Sequence, residues 1–301
     1  KVGRFKKSWQ LFKASIKALR LDKELLGLPV INMLTTLAAL SPLVAIVALN
    51  QKTFFTLVTY ADGGINAEPT NAGIAVLVTA FVLVTSLGAI FSGALISGAL
   101  ARFKGEDPTI KSSIKGAFRR AGSLIGFGLF SALIGYILSA IAERIPFIGG
   151  KIVAWLASSA WNVASFFAVP VIVSSDTSMN PIAATKKSID VVKKVWGESL
   201  ILSVGIGIFA FLTTLVYMAI LFGIIGVGAQ NSFGVAYFGT TIGVWVLGLI
   251  LLGLIWEVLG AIIKAAVYHY AVTGEAPAAF EERMLRNAFT KKQARKVFQA
   301  N

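Results

Sequence analysis

The sequence predicts an all-α membrane protein, a polytopic bundle of six transmembrane helices in three hairpins, with basic amphipathic helices at the membrane interface. Of the 301 residues, 56% are hydrophobic and 14% are charged, and the mean hydropathy is +0.78. The apolar residues fall in long runs separated by charged stretches. Such runs are typical of membrane-spanning helices, because a helix in hydrocarbon satisfies its backbone hydrogen bonds internally and exposes apolar side chains to lipid.

The first element is an amphipathic helix predicted over residues 1–24. Its apolar positions recur at helical spacing, at Phe5, Trp9, Phe12, Ile16 and Leu19. Lysine and arginine flank this stripe, which is typical of a helix lying in the headgroup layer. The alternative is a cytoplasmic helix packed on the rest of the protein.

A transmembrane domain follows over 25–272. Its six predicted spans are 25–49, 74–100, 122–141, 152–173, 200–226 and 235–272. Pro29 and Pro42 predict a bend or break in the first span. The short link containing Pro146 and Gly149 makes the third and fourth spans antiparallel neighbours. Residues 273–301 are predicted to form a basic cytoplasmic tail.

The distribution of basic residues predicts the orientation. Segments 1–24, 101–121, 174–199 and 257–301 hold 25 of the 28 Lys and Arg residues. The remaining three are Lys52, Arg144 and Lys151, which lie in the alternate connections. Positive charge collects on the cytoplasmic side. We therefore expect a multi-pass protein of the cell membrane with cytoplasmic N- and C-termini.

The excess of positive charge, +14 overall, predicts contact with anionic membrane lipids on the cytoplasmic face rather than with nucleic acid, because it borders apolar runs. The candidate headgroup contacts are Lys6, Lys7, Lys13, Arg119, Arg120, Lys186, Lys187, Lys193 and Lys194. A second copy of the chain, or a larger membrane complex, is a further expected partner.

A weak internal repeat accompanies these basic segments. Ser113-Ile114 precedes Arg119-Arg120 and the third span, and Ser188-Ile189 precedes Lys193-Lys194 and the fifth span. Each copy is a basic amphipathic segment that leads directly into a membrane helix. The repeat is compatible with a transporter and with simple duplication.

Small residues spaced four apart predict close helix packing in the second and last spans, in the pairs Ala89/Gly93, Ala94/Gly98 and Gly239/Gly243. The candidate packing residues are Gly88, Gly93, Gly98, Gly239 and Gly243. Small side chains allow helix backbones to approach, and packing replaces the missing hydrophobic drive in lipid. Packing inside one subunit is favoured over a dimer interface.

Three polar residues in the last span form a candidate intramembrane site. Glu257 and Lys264 interrupt an otherwise apolar run, and His269 stands between two tyrosines at its inner end. An ionisable residue at membrane depth is costly unless it is paired or protonated. Glu257 would bind a proton, a cation or a polar group of a substrate if the site were functional. The favoured interpretation is structural.

Enzyme and cofactor signatures are absent from the sequence. The chain has no cysteine and one histidine, which excludes thiolate and multi-histidine metal centres. It contains no zincin, hydrolase-elbow or phosphate-loop motif. We therefore expect no catalytic residues, no cofactor and no metal.

Three groups of motifs resemble an uncharacterised prokaryotic membrane-protein family, a domain of unknown function. They are Arg4–Trp9 with Leu21–Leu26, then Gly105–Pro108, and finally Tyr270–Pro277 with Phe280 and Asn287–Phe289. The chain is also loosely similar to the membrane domain of some glycerophosphodiester phosphodiesterases. The resemblance implies a six-span prokaryotic plasma-membrane protein and transfers no catalytic residues.

The leading hypothesis is a non-enzymatic scaffold, accessory subunit or assembly factor. The second is a small transporter or channel that uses Glu257. The third is a lipid-modifying membrane enzyme, which would require Glu257, Lys264 and His269 to converge on one pocket.

Overall fold

The computed structural model describes residues 16, 19, 23–59, 65–145, 148–194, 198–231, 234–277 and 280. Six of its helices are long and apolar enough to cross a membrane. This confirms the predicted fold class. Most of the predicted N-terminal helix, with Lys6, Lys7 and Lys13, lies outside the described residues, as does most of the predicted C-terminal tail.

The described helices follow a short 3-10 turn at Lys23–Leu26. They are α1 (Gly27–Leu49), α2 (Gln51–Phe54), α3 (Asn71–Phe103), α4 (Ile110–Phe118), α5 (Ala121–Arg144), α6 (Ile148–Ala164), α7 (Ala168–Ser174), α8 (Pro181–Lys194), α9 (Glu198–Gln230) and α10 (Val235–Thr273). The spans are α1, α3, α5, α6 with α7, α9 and α10. Helices α4 and α8 connect spans at the basic end of the bundle.

A β-hairpin joins the first two spans. The sequence predicted only a connection between them, over 50–73. Strands β1 (Phe55–Thr59) and β2 (Ile65–Pro69) pair antiparallel, with Phe55 opposite Pro69. Thr70 fixes the hairpin to α3. Its hydroxyl donates to the Thr53 carbonyl at 2.7 Å and accepts from the Gly73 N–H at 3.2 Å, so one side chain closes the hairpin and caps the helix.

Of the bend or break predicted in the first span, a break does not occur. Helix α1 runs without interruption through Pro42. Proline lacks the N–H that would bond the carbonyl of Ala38, four residues earlier. The Ser41 hydroxyl donates to this carbonyl at 2.9 Å instead. Neighbouring hydroxyls commonly satisfy freed carbonyls in membrane helices, and here the substitution keeps the helix whole.

The spans pair as three hairpins: α1 packs on α3, α5 on α6, and α9 on α10. Helix α3 is central, because it also contacts α4, α5, α7 and α10. The amphipathic helices pack back onto the spans that precede them, α4 on α3 and α8 on α7. The repeat seen in the sequence therefore corresponds to two similar span–surface helix–span arrangements.

Burial is concentrated at the end of the bundle that carries α4 and α8. The largest fully buried side chains there include Leu28, Leu95, Ile96, Leu124, Phe167, Ile172, Leu259, Ile262 and Ile263. The opposite halves of the spans expose apolar side chains such as Leu37, Phe81, Leu133, Phe211 and Val244. Such a continuous apolar surface suits lipid rather than water.

Candidate functional site

The candidate site is the basic end of the bundle, where α4 and α8 turn their charged faces outward. Lys111, Lys115 and Arg119 are exposed around α4, and Lys186, Lys187, Lys193 and Lys194 are exposed on α8. The opposite faces are buried through Ser113 and Ala117 on α4 and through Ala184, Ser188, Val191 and Val192 on α8. Both helices are therefore amphipathic, as the sequence predicted.

Local signals fix where α4 begins. Thr109 and Ser112 form a reciprocal capping box at its N-terminus. The Glu24 carboxylate accepts a hydrogen bond from the Ile110 N–H at 3.3 Å, which ties the start of α4 to the 3-10 turn before α1. Asp107 pairs with Arg102 at 3.0 Å. These contacts stabilise the connection between α3 and α4.

Helix α8 begins in the same way. Pro181 occupies its first position, which suits a residue without an N–H. The Asn180 side-chain oxygen accepts from the Ala183 N–H at 2.7 Å. Just before it, the Met179 N–H donates to the Ser123 hydroxyl at 2.9 Å. The link into α8 is thereby bonded to the start of α5.

Two further hydrogen bonds join the basic elements. The Phe167 N–H donates to the Ser188 hydroxyl at 3.0 Å in the buried interior. Arg120 donates from Nε to the Ser175 carbonyl at 2.8 Å. Arg120 thus combines its predicted position at the headgroup level with a structural role, a contact that the sequence does not reveal.

The predicted intramembrane residues have different surroundings. Glu257 is exposed on α10, and no ion pair joins it to Lys264 in the described part of the chain. The Lys264 ammonium lies 5.2 Å from the centre of the Phe166 ring, a cation–π distance. The His269 ring lies 6.1 Å from that of Phe103. Lys264 and His269 therefore contact different elements, and Glu257 lies on the exposed surface of α10.

The candidate packing glycines fall into two groups. A side chain at Gly93 would meet buried Leu124, and one at Gly98 would meet Ser113 and Leu25. Gly88, Gly239 and Gly243 face open space. On α10, Gly239 and Gly243 share a helical face with Glu257. This face is open within the chain.

Two apolar cavities lie between paired spans. The larger, of about 640 Å³, lies between α1 and α3 near the β-hairpin, with Lys52 and Gln51 among its lining residues. The smaller, of about 340 Å³, lies between α9 and α10. There the Tyr217 hydroxyl donates to the Trp245 carbonyl at 3.2 Å. Glu257 lines neither cavity.

The described ranges contain no group of three or more His, Cys, Asp or Glu side chains able to hold a metal ion.

The residues of the site that the sequence did not predict are those that join its elements, such as Asn180 and Tyr268. Tyr268 is buried and lines one cavity together with Ser174. Asn-Pro before an amphipathic run was the available signal for the helix start at Asn180.

Comparison with known families gives one match. Residues 71–278 fit a family model described as a family of unknown function (DUF6159). No curated protein and no solved structure matches the chain. Membership of an uncharacterised family is thus confirmed, and Gly105–Pro108 and Tyr270–Pro277 fall inside the match. The likeness to glycerophosphodiester phosphodiesterases and the prokaryotic origin stay predictions.

Proposed function

The chain belongs to the family of unknown function DUF6159, and we propose that it is a non-enzymatic scaffold or accessory subunit of a prokaryotic plasma membrane. Its basic end would hold anionic headgroups on the cytoplasmic side, with both termini in the cytoplasm. The observation that carries the proposal is the placement of the packed core beside α4 and α8, beneath spans whose outer halves stay apolar and exposed.

This geometry favours a fixed basic platform over a moving transporter core. The buried contacts and hydrogen bonds of the basic end pack α4 and α8 against the spans. Their exposed lysines then present a positive surface to a leaflet. The open glycine face of α10 and the exposed span surfaces leave room for lipid, a second copy or another membrane protein.

The transporter alternative is less well supported by the position of Glu257. A transported ion or solute needs a polar path that reaches an intramembrane site. Glu257 faces outward from α10, and Lys264 and His269 contact other elements. The same separation argues against a lipid enzyme that would use the three residues together.

The test is lipid association in reconstituted membranes. Spin-labelled phosphatidylglycerol should associate with the protein roughly fivefold better than spin-labelled phosphatidylcholine, which corresponds to about 1 kcal/mol of surface attraction. The preference should shrink in high salt, because exposed charges are screened. Electron paramagnetic resonance of the motionally restricted lipid measures it.

Equal association of the two lipids would contradict the proposed headgroup contact. The same vesicles serve for a flux measurement with wild-type protein and the Glu257→Gln variant. We expect neither to conduct protons or small ions above protein-free vesicles. A flux that Glu257→Gln abolishes would replace the scaffold with the transporter.

A further inference from the structure

We propose that a polar cavity between α8, α10 and the end of α7 is a binding site for one phosphate ester, supplied by a phospholipid headgroup or by a soluble phosphate compound. The cavity measures about 260 Å³, and its polar lining comes from Ser174, Ser175, Lys187, Asp190, Lys194 and Tyr268. The inference deepens the proposed headgroup contact and rests on it, because it gives the basic end one built site.

Helix geometry brings the charged groups together. Lys187, Asp190 and Lys194 stand at positions i, i+3 and i+7 of α8, so they share one face. That face lines the cavity. Lys186 and Lys193 precede Lys187 and Lys194 by one residue, a rotation of about 100° around the helix, and do not line it. One helix therefore carries two lysine pairs in different surroundings.

The charge balance of the cavity is positive. The Asp190 carboxylate, which lines the cavity, lies 3.7 Å from the ammonium group of Lys193, which does not line it. Lys187 and Lys194 have no ion-pair partner in the part of the chain that the structure describes. Arg120 is a further cation beside the lining residue Ser175, whose carbonyl accepts from its Nε at 2.8 Å. An anion is the complementary ligand.

Hydroxyl groups add hydrogen-bond donors to the site beside the lysines. Ser174, Ser175 and Tyr268 line it together with the lysines. The Ser175 hydroxyl already accepts a hydrogen bond from the Thr177 N–H at 3.3 Å, so its own hydrogen can point to an outside acceptor. Phosphate oxygens accept several hydrogen bonds at once, as this mixture of ammonium and hydroxyl donors requires.

The size and position of the cavity fit a headgroup. Its volume of about 260 Å³ is several times the ~30 Å³ that one water occupies in the liquid, enough for a phosphate and neighbouring glycerol atoms. The cavity lies where the fourth span ends at Ser174. A phospholipid bound there would place its phosphate at the end of the span and its acyl chains along the exposed apolar helix surface.

The experiment counts bound lipids on the purified full-length protein by native mass spectrometry. Phosphatidylglycerol is titrated against diacylglycerol with the same acyl chains, which lacks the phosphate. We expect one tightly retained phosphatidylglycerol and no such diacylglycerol. Lys187→Gln/Lys194→Gln should weaken this binding roughly tenfold or more, because each lost ammonium removes a charge-assisted hydrogen bond.

The matched control is Lys115→Gln/Lys186→Gln, which removes the same charge from exposed positions outside the cavity. It should change the tight binding less than threefold, since neither side chain lines the cavity. An equal loss in both double variants would overturn the site and leave the proposed diffuse headgroup contact intact. No loss in either would also overturn it.

Two additions complete the test. Displacement of the lipid by millimolar inorganic phosphate or glycerophosphoglycerol would assign the site to soluble phosphate compounds, and no displacement would assign it to lipid. If the glutamine variant does not fold, Ser174→Cys provides a second measurement, because the chain has no other cysteine. Phosphatidylglycerol, but not diacylglycerol, should slow its alkylation, and equal rates would overturn the proposal.

Discussion

At the scale of single residues, the two serines of the internal repeat occupy equivalent places and differ in bonding. Ser113 on α4 and Ser188 on α8 are 1% and 0% exposed. The Ser188 hydroxyl accepts from the Phe167 N–H at 3.0 Å, whereas the Ser113 hydroxyl has no hydrogen-bond partner among the described residues. A buried polar group stabilises a fold only when it is bonded, so the two should respond oppositely to the same substitution.

Ser188→Ala should therefore lower the free energy of unfolding by about 1–3 kcal/mol, because it leaves the buried Phe167 N–H without an acceptor. Ser113→Ala removes an unbonded hydroxyl and should be neutral or slightly stabilising. Thermal unfolding of the purified protein in detergent measures both. If the two variants lost stability equally, the hydrogen bond of Ser188 would have no special role.

At the scale of elements, the fold depends on the close approach of α3 to its neighbours. A Cβ at Gly98 would lie 2.5 Å from the Ser113 hydroxyl oxygen and 2.7 Å from a methyl group of Leu25, whereas a Cβ at Gly88 would meet nothing within 4 Å. The same helix thus contains one glycine that packing requires and one that it does not. Spacing alone does not distinguish the two in the sequence.

The alanine variants test this distinction. Gly98→Ala should destabilise the protein by about 1–3 kcal/mol, because the Ser113 hydroxyl and the Leu25 methyl group must move within a packed interior to admit the new methyl group. Gly88→Ala should stabilise it by up to about 1 kcal/mol through helix propensity. Thermal unfolding of the purified variants in detergent measures their stability, and gel filtration shows whether they stay folded and monodisperse. A Gly98→Ala protein as stable as the wild type would contradict the packing described for α3.

The sequence predicted those elements whose signal is a long local pattern. Six apolar runs gave the spans, because crossing hydrocarbon demands length and low charge. It missed β1 and β2, whose five residues each are too short for a periodic signal, and the break that it allowed at Pro42 does not occur. The repair of the helix by Ser41 depends on a side-chain rotamer that composition does not report.

At the scale of the whole molecule, the position of the core was beyond sequence reasoning. Lipid-facing and buried residues are both apolar in a membrane helix, so hydropathy does not separate Leu37, which is exposed, from Leu95, which is buried. The basic residues of the candidate site were identified in advance, because charge stands out in an apolar sequence. The cavity beside α8 depends on Ser174, Ser175 and Tyr268 meeting Lys187 and Lys194, which only the tertiary structure brings together.

Orientation in the membrane is the property of the whole molecule that follows most directly from its charge. Glu106 lies in the link between α3 and α4, and Glu143 lies near the far end of α5. Both are exposed, and the 24-residue helix α5 separates the two ends by about 36 Å. Because Lys and Arg concentrate at the end that carries Glu106, positive-inside retention should keep that end in the cytoplasm.

Single cysteines at these positions test the orientation, since the chain has none of its own. In intact cells a membrane-impermeant maleimide should label Glu143→Cys, and it should label Glu106→Cys only after the membrane is permeabilised. The unsubstituted chain is the control for background labelling. Labelling of Glu106→Cys from outside would show the opposite orientation. It would place α4, α8 and the phosphate cavity at the outer leaflet, where they could not bind a cytoplasmic headgroup.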